Sequence, residues 1–268
     1  VAAGCLLLGG RALTPAMAML FLVGLAALVA GANVLNMYVE RDVDGLMERT
    51  RTRPLPQLRL PDRAALAQGL ALAVGGLVLV QATGGILVAT MGVFSLFVYV
   101  LVYTPMKRLS AWALVVGAVP GAMPALMGAC AGHQAIDLAG LSMFGILFVW
   151  QLPHSVAISV LRDDDYRRGG YQTFPIEFGL RASVAWTGIG AIALVVQSLM
   201  PVALGVLGPI YLATAVVAGL WFVNACIFRR RQVTSEHWAR KVFMGSLLHL
   251  CALFAAIPID RIVAAIVW

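Results

Sequence analysis

Apolar residues run along this chain in blocks of about twenty, separated by short segments rich in charge, proline and glycine. Reading each block between its punctuation predicts a partial span near residues 1–9. Further spans follow near 14–38, 64–83, 85–103, 111–131, 138–160, 182–203, 206–228 and 241–257. A bilayer core about 30 Å thick takes about 20 apolar residues per helical crossing. The pattern therefore predicts an all-α polytopic membrane bundle of about nine transmembrane helices. The opening block reads like the tail of a hydrophobic segment and starts at Val1 rather than Met, so the first helix is expected to be truncated. Any targeting peptide would lie in the missing part. No soluble domain or low-complexity tract interrupts the blocks, and residues 1–268 read as one membrane domain.

Composition agrees with the pattern: 61% of residues are hydrophobic and 12% charged. That is far from the mix of a soluble domain. The net charge of +7 would suggest nucleic acid in a soluble protein, but here the cations gather between apolar runs. The expected partner is the lipid bilayer, with no nucleic acid. If the spans alternate, segments 39–63, 104–110, 161–181 and 229–241 share one side and hold 17 of the 19 Lys and Arg residues, leaving Arg11 and Arg261 opposite. Ten of the twelve acidic residues share that side, with Asp137 and Asp260 opposite. It is expected to be cytoplasmic, placing the chain in the inner membrane of a bacterium or of a mitochondrion. The cysteines, Cys5, Cys130, Cys226 and Cys251, are scattered through apolar segments without a CxxC pair and are expected to be small buried hydrophobes.

The polar chemistry concentrates at two helix ends. In NVLNMYVERDVDGLMERTRTRPLP, residues 33–56, Asn36, Glu40 and Asp44 recur every four residues. On a continuing helix they share one face at steps of about 6 Å, with Asp42 pointing elsewhere. Oxygen ligands at that pitch suit Mg²⁺, which takes its remaining ligands from water and substrate phosphates. Arg49, Arg51 and Arg53 follow as planar donors for phosphate before Pro54 and Pro56. A solvated helix end would use the same residue types.

The second cluster, WQLPHSVAISVLRDDDYRRGGYQTFP at 150–175, carries Asp163, Asp164 and Asp165. Adjacent on a helix, they fan over about 200°, so one or two reach a common point. Acid, base and proline follow one another at Glu40–Pro54 and again at Asp163–Pro175, four spans apart, a weak internal duplication of the kind that builds a site at its interface. Between them YTPMKR, residues 103–108, supplies Tyr103, Lys107 and Arg108 as further phosphate contacts or simply as positive-inside residues. Among the histidines, His133 and His237 fall in loops, and His249 is expected to bond a neighbouring helix. His154 lies eleven residues before Asp165, about 16 Å along an unbroken helix, where it lines a chamber beneath the metal site or packs as a hydrogen-bonded histidine.

The stretch NMYVERDVDGLMERTRTRPLP resembles the first aspartate-rich motif, N-x-x-x-D-x-x-x-D, of the UbiA superfamily of intramembrane prenyltransferases. Together with YTPMKR, GAMPALMG, WQLPH, DDYRRGG and WARKVFMGSLLHL it is similar to the haem-prenylating branch of that superfamily. The resemblance implies a helical bundle around a central chamber with a diphosphate site at its cytoplasmic mouth. It implies that Asn36, Glu40, Asp44, Asp164 and Asp165 are catalytic, with Mg²⁺ on Asn36, Glu40, Asp44 and Asp165. Arg49, Arg53, Tyr103, Lys107 and Arg108 would contact farnesyl diphosphate, and Trp150 and His154 would meet the acceptor, haem b. Tyr38, Tyr103 and Trp150 would offer ring faces to an allylic cation. The product would be haem O, with handover to a haem A-forming enzyme. Glu40 stands where the superfamily usually has Asp, and Ser155 where the branch usually has Phe. A quinone-pathway prenyltransferase is the alternative, though Met37 replaces the Asp usual there. A transporter would place its polar groups near the midplane, whereas these sit at one rim.

Overall fold

A computed structural model of the chain describes residues 1–6, 13–131, 134–227 and 235–267. Arg11, His133 and the arginines at 229–231 lie outside the described residues. Among those described, every regular element is helical: α1 (Ala2–Leu6), α2 (Pro15–Asp44), α3 (Asp62–Phe97), a π-helical turn (Val98–Tyr103) and α4 (Thr104–Met106). Then come α5 (Ala113–Cys130), α6 (Leu138–Leu161), α7 (Asp163–Arg168), α8 (Phe174–Ala203), α9 (Pro209–Ile227) and α10 (Ser235–Val267).

Among the described residues seven helical stretches are long and apolar enough to cross a membrane, and the longest, Asp62–Met106, has 45 residues. It is two crossings. Gly85 adopts φ 79°, a left-handed conformation that ends the helical path. A Cβ on Gly92 would stand 2.9 Å from Leu77 Cδ2. Fifteen residues of straight helix would hold these two roughly 22 Å apart. The run therefore folds back at Gly85, and the spans read at 64–83 and 85–103 are the arms of a hairpin. With the short α1, the described residues accord with about nine membrane helices.

Lipid supplies no hydrophobic drive for helices to associate, so close packing through small residues must do so. On the face between α2 and the first arm of α3, a Cβ on Gly76 would lie 2.7 Å from the Gly24 carbonyl oxygen. One on Gly31 would lie 2.8 Å from that of Gly69, so backbone meets backbone along this seam. Outward, Ile86, Leu101, Val217 and Leu220 are exposed, while Phe21, Met127, Tyr211 and Phe222 are fully buried inside. An apolar exterior on this scale suits lipid rather than water. Cys5, Cys130 and Cys226 are buried as expected, but Cys251 is exposed on the outer face of α10. His249 is buried with its ring stacked on Phe222 of α9.

Two apolar cores result, one joining α2, α3 and α5, the other α6, α8, α9 and α10, with α5 contributing to both. On the polar rim α2 outruns its apolar block and stays helical to Asp44. The helix carrying His154 does not reach Asp165. Arg162 leaves helical geometry (φ −124°, ψ 24°), and α7 starts afresh with three aspartates in its first turn, where the helix dipole favours negative charge. The separation counted along an unbroken helix therefore does not apply.

Candidate active site

Because α2 continues through the rim, Asn36, Glu40 and Asp44 share one buried face, and Asp42 on another face is exposed. Asn36 donates its amide to Glu40 Oε2 at 2.8 Å and accepts from the Thr104 hydroxyl at 2.8 Å. Glu40 Oε1 accepts from Lys107 Nζ at 2.5 Å and from the Tyr171 hydroxyl at 2.7 Å. Asp44 receives Arg53 at 2.7 Å, and its own carbonyl accepts from Thr50 at 2.8 Å. The loop just after α2 and two segments distant in sequence thus meet at one carboxylate row. Lys107 is brought there by the π-helical turn and α4, and Tyr171 by the turn at Gly170, whose φ of 68° reverses the chain after α7.

Desolvation lowers the Lys107 pKa from the usual lysine range, and the Glu40 charge opposes that fall. Burial, then the Glu40 carboxylate, push the Tyr171 phenol upward, so it stays protonated and donates. Burial likewise raises Tyr166.

Asp165 joins the two acidic clusters. Its carboxylate accepts from the backbone amides of Glu48 at 2.9 Å and Arg49 at 3.3 Å, and from Arg168 at 2.7 Å. Burial works to raise its pKa, but the Arg168 hydrogen bond and the two amides outweigh it and hold the carboxyl below the ordinary aspartate value. The group straps the 45–60 loop to α7, and Met47 is buried beneath that loop against Val43 and Tyr171. Asp164 is exposed, and with Glu48, Asp163 and Arg168 it lines an open polar basin. Asp163 pairs with Arg167 at 2.7 Å. Arg49 and Arg108 are exposed on the rim. Among the described residues no three His, Cys, Asp or Glu side chains gather closely enough to hold a metal together. The donor row Asn36–Glu40–Asp44 nevertheless suits a hard cation. It is built of oxygen ligands, and its two buried carboxylates both require compensating positive charge.

Two cavities open beside this row. The deeper, about 290 Å³, is walled by α2, α3, α5 and α6, with Asn33, Tyr99, Gly117, Gln151 and Ser155 on its surface. The second, about 250 Å³, lies toward the rim between Lys107, Tyr166, Tyr171 and Ser159. Tyr103, Leu114 and Ser155 line both, so they form the boundary between chamber and mouth. Lys107 Nζ stands 4.9 Å from the Tyr103 ring centroid and 5.5 Å from that of Tyr171, in cation–π contact with each. Pro120 and Pro124 interrupt α5 beside the deep cavity, and Pro124 frees the Pro120 carbonyl, which accepts from Ser95 at 3.4 Å.

His154 and Trp150 line neither of these cavities. His154 Nδ1 is 2.7 Å from the Ser246 hydroxyl, and its ring is stacked between Trp150 (4.4 Å) and Phe243 (4.9 Å). Trp150 donates to the Ser246 carbonyl at 2.7 Å. Both therefore bind α6 to α10. The α6 residues facing the cavities are Gln151, Ser155, Ile158 and Ser159. Sequence reasoning also missed Tyr171 and Thr104. Tyr171 had one available signal, an aromatic residue following Gly169–Gly170 beside a charge cluster.

Comparison with known proteins places this geometry in a class. Residues 1–247 match the model of the UbiA prenyltransferase family, and the chain belongs to that family. It is therefore an integral multi-pass membrane protein. A relative named protoheme IX farnesyltransferase, from Sorangium cellulosum (strain So ce56), is 44% identical over 253 residues, covering 92% of this chain and 89% of the relative. In fold the chain resembles a digeranylgeranylglyceryl phosphate synthase structure with a TM-score of 0.80 at 17% identity, over 96% of this chain and 90% of that one. It also resembles a UbiA homologue from Archaeoglobus fulgidus bound to GPP and Mg²⁺, with a TM-score of 0.64 at 16% identity, over 96% and 93% of the two chains.

Proposed function

We propose that this chain transfers a farnesyl group from farnesyl diphosphate to a vinyl group of haem b, forming haem O. The observation that carries the reading is the buried row Asn36–Glu40–Asp44, walled by Lys107, Arg53 and Tyr171, at the mouth of an apolar chamber in a chain 44% identical to a protoheme IX farnesyltransferase. Residues 1–268 act as one domain in the inner membrane of a bacterium or mitochondrion. The product would pass to a haem A-forming enzyme.

Asn36, Glu40 and Asp44 would hold Mg²⁺, as the oxygen-only donor set suits, with Asp164 and Asp165 close by at the rim. The ion supplies positive charge against the leaving diphosphate. Lys107, Arg53, Arg49 and Arg108 supply donors to the same group, favouring the transition state because charge develops there only as the carbon–oxygen bond breaks. The prenyl chain lies in the apolar chamber, away from water. Tyr103, at the boundary of the two cavities, and Tyr171 present ring faces to the allylic cation. The vinyl carbon then attacks, and water adds to the neighbouring carbon with loss of a proton to give the hydroxyethylfarnesyl side chain. No protein nucleophile is needed.

Mass spectrometry of products from purified protein given farnesyl diphosphate, Mg²⁺ and either haem b or 4-hydroxybenzoate tests the reading. Haem O is expected, and EDTA should abolish it. A prenylated benzoate with no haem product would replace it with the quinone-pathway assignment.

A further inference from the structure

Glu40 is the most heavily engaged carboxylate at the mouth. Its Oε1 takes both the Lys107 ammonium at 2.5 Å and the Tyr171 hydroxyl at 2.7 Å, and its Oε2 takes the Asn36 amide at 2.8 Å. An oxygen with two such donors has no lone pair left for a divalent cation. Oε2 keeps one lone pair, so a metal ion that takes Glu40 through Oε1, or through both oxygens, competes with Lys107 for Oε1, since two like charges on one buried oxygen repel strongly. The ammonium also has somewhere to go. It already lines the 250 Å³ cavity at the mouth, between the faces of Tyr103 and Tyr171. Arg53 holds Asp44 in the same way at 2.7 Å, from a half-exposed position on the loop.

We propose that Lys107 is an exchangeable counter-cation of Glu40, displaced into the mouth cavity when a divalent metal binds and there taken up by the diphosphate. The inference rests on the reading of Glu40 as a metal ligand. Its consequence is thermodynamic coupling. A metal ion arriving alone must break the Lys107–Glu40 pair and leave the half-buried ammonium with only a 3.4 Å contact to Asn36 Oδ1 and the two ring faces, and no carboxylate. A metal ion arriving with diphosphate gives that ammonium a new partner, so each ligand promotes binding of the other. Lys107 would thus be a positioning residue that keeps the site from filling with metal before substrate is present.

The test is Mn²⁺ binding, followed by electron paramagnetic resonance, to the purified full chain in detergent, with and without inorganic pyrophosphate. Lys107→Met is expected to bind Mn²⁺ alone about tenfold tighter than the parent and to lose most of the gain that pyrophosphate gives. Lys107→Arg, which keeps the charge, should behave as the parent does. Unchanged or weaker binding of Mn²⁺ alone by Lys107→Met overturns the proposal, provided the parent binds Mn²⁺ with pyrophosphate. If the parent binds no Mn²⁺ under either condition, the metal reading of the site fails and the inference falls with it. Should circular dichroism show Lys107→Met unfolded, Arg53→Met frees Asp44 by the same logic. Tighter binding of Mn²⁺ alone is then expected, and unchanged affinity refutes.

Discussion

Removing the Tyr171 hydroxyl asks how much the orientation of Glu40 matters to the reaction. Tyr171→Phe deletes one donor to Glu40 Oε1, at 2.7 Å, and leaves the ring that packs on Val43 and Met47. Hydrogen bonds to a charged group contribute about 1.5–3 kcal/mol, which is roughly 10- to 150-fold in a rate or affinity. The lower end applies here, because Asn36 still donates to Oε2 at 2.8 Å and keeps the carboxylate near its place. The expected result is a loss of roughly tenfold in kcat/KM for farnesyl diphosphate, with helical content and thermal unfolding close to the parent. The assay is diphosphate release in the presence of haem b at saturating Mg²⁺. If kcat/KM stays within about twofold of the parent while the protein is folded, Glu40 does not need its phenol. The row would then be a structural ion network rather than a reacting site.

Two further expectations come from the same geometry. Asp165, whose carboxyl sits below the ordinary aspartate value of 3.8, anchors the 45–60 loop fully above that value and releases it as pH falls through the lower, folded value. Hydrogen exchange at the Glu48 and Arg49 amides should therefore stay slow at neutral pH in the parent and rise about tenfold in Asp165→Asn; equal protection in the two proteins would refute the strap. His154→Ala should lower the unfolding temperature by removing the Ser246 bond and two ring contacts, yet leave the spectrum of bound haem b unaltered, whereas Ser155→Trp, projecting into both cavities, should abolish product. A changed haem spectrum in His154→Ala would restore the histidine as an acceptor ligand.

The parts of this molecule legible in its sequence are those written as local periodicity. Asn36, Glu40 and Asp44 repeat at the helical period, so their common face follows once α2 stays helical to Asp44. The hairpin at Gly85 is visible as two apolar blocks meeting at a short glycine-containing join. The strap from Asp165 to the amides of Glu48 and Arg49 was not legible beyond the repetition of the two clusters. A carboxylate aimed at backbone amides more than a hundred residues away leaves no trace in the identity of the residues that donate.

His154 shows where such reading must stop. A helix in water records its own rotation, because its polar face marks the solvent and its apolar face the core. Around His154 that record is missing: α6 is apolar on most sides, and its few polar groups point two ways. Gln151 and Ser155 turn to the cavity, while Trp150 and His154 turn to Ser246 of α10. Adjacent residues on a helix differ by about 100°, so one step along the sequence separates a chamber wall from an interhelical contact. Proximity to Pro153 and to the aspartates could not decide between the two, because both residues share it. The decision lies with the neighbour: Ser246 offers a hydroxyl and a carbonyl at the level of Trp150 and His154, and a half-buried indole and imidazole inside a membrane bundle take such partners where they are found.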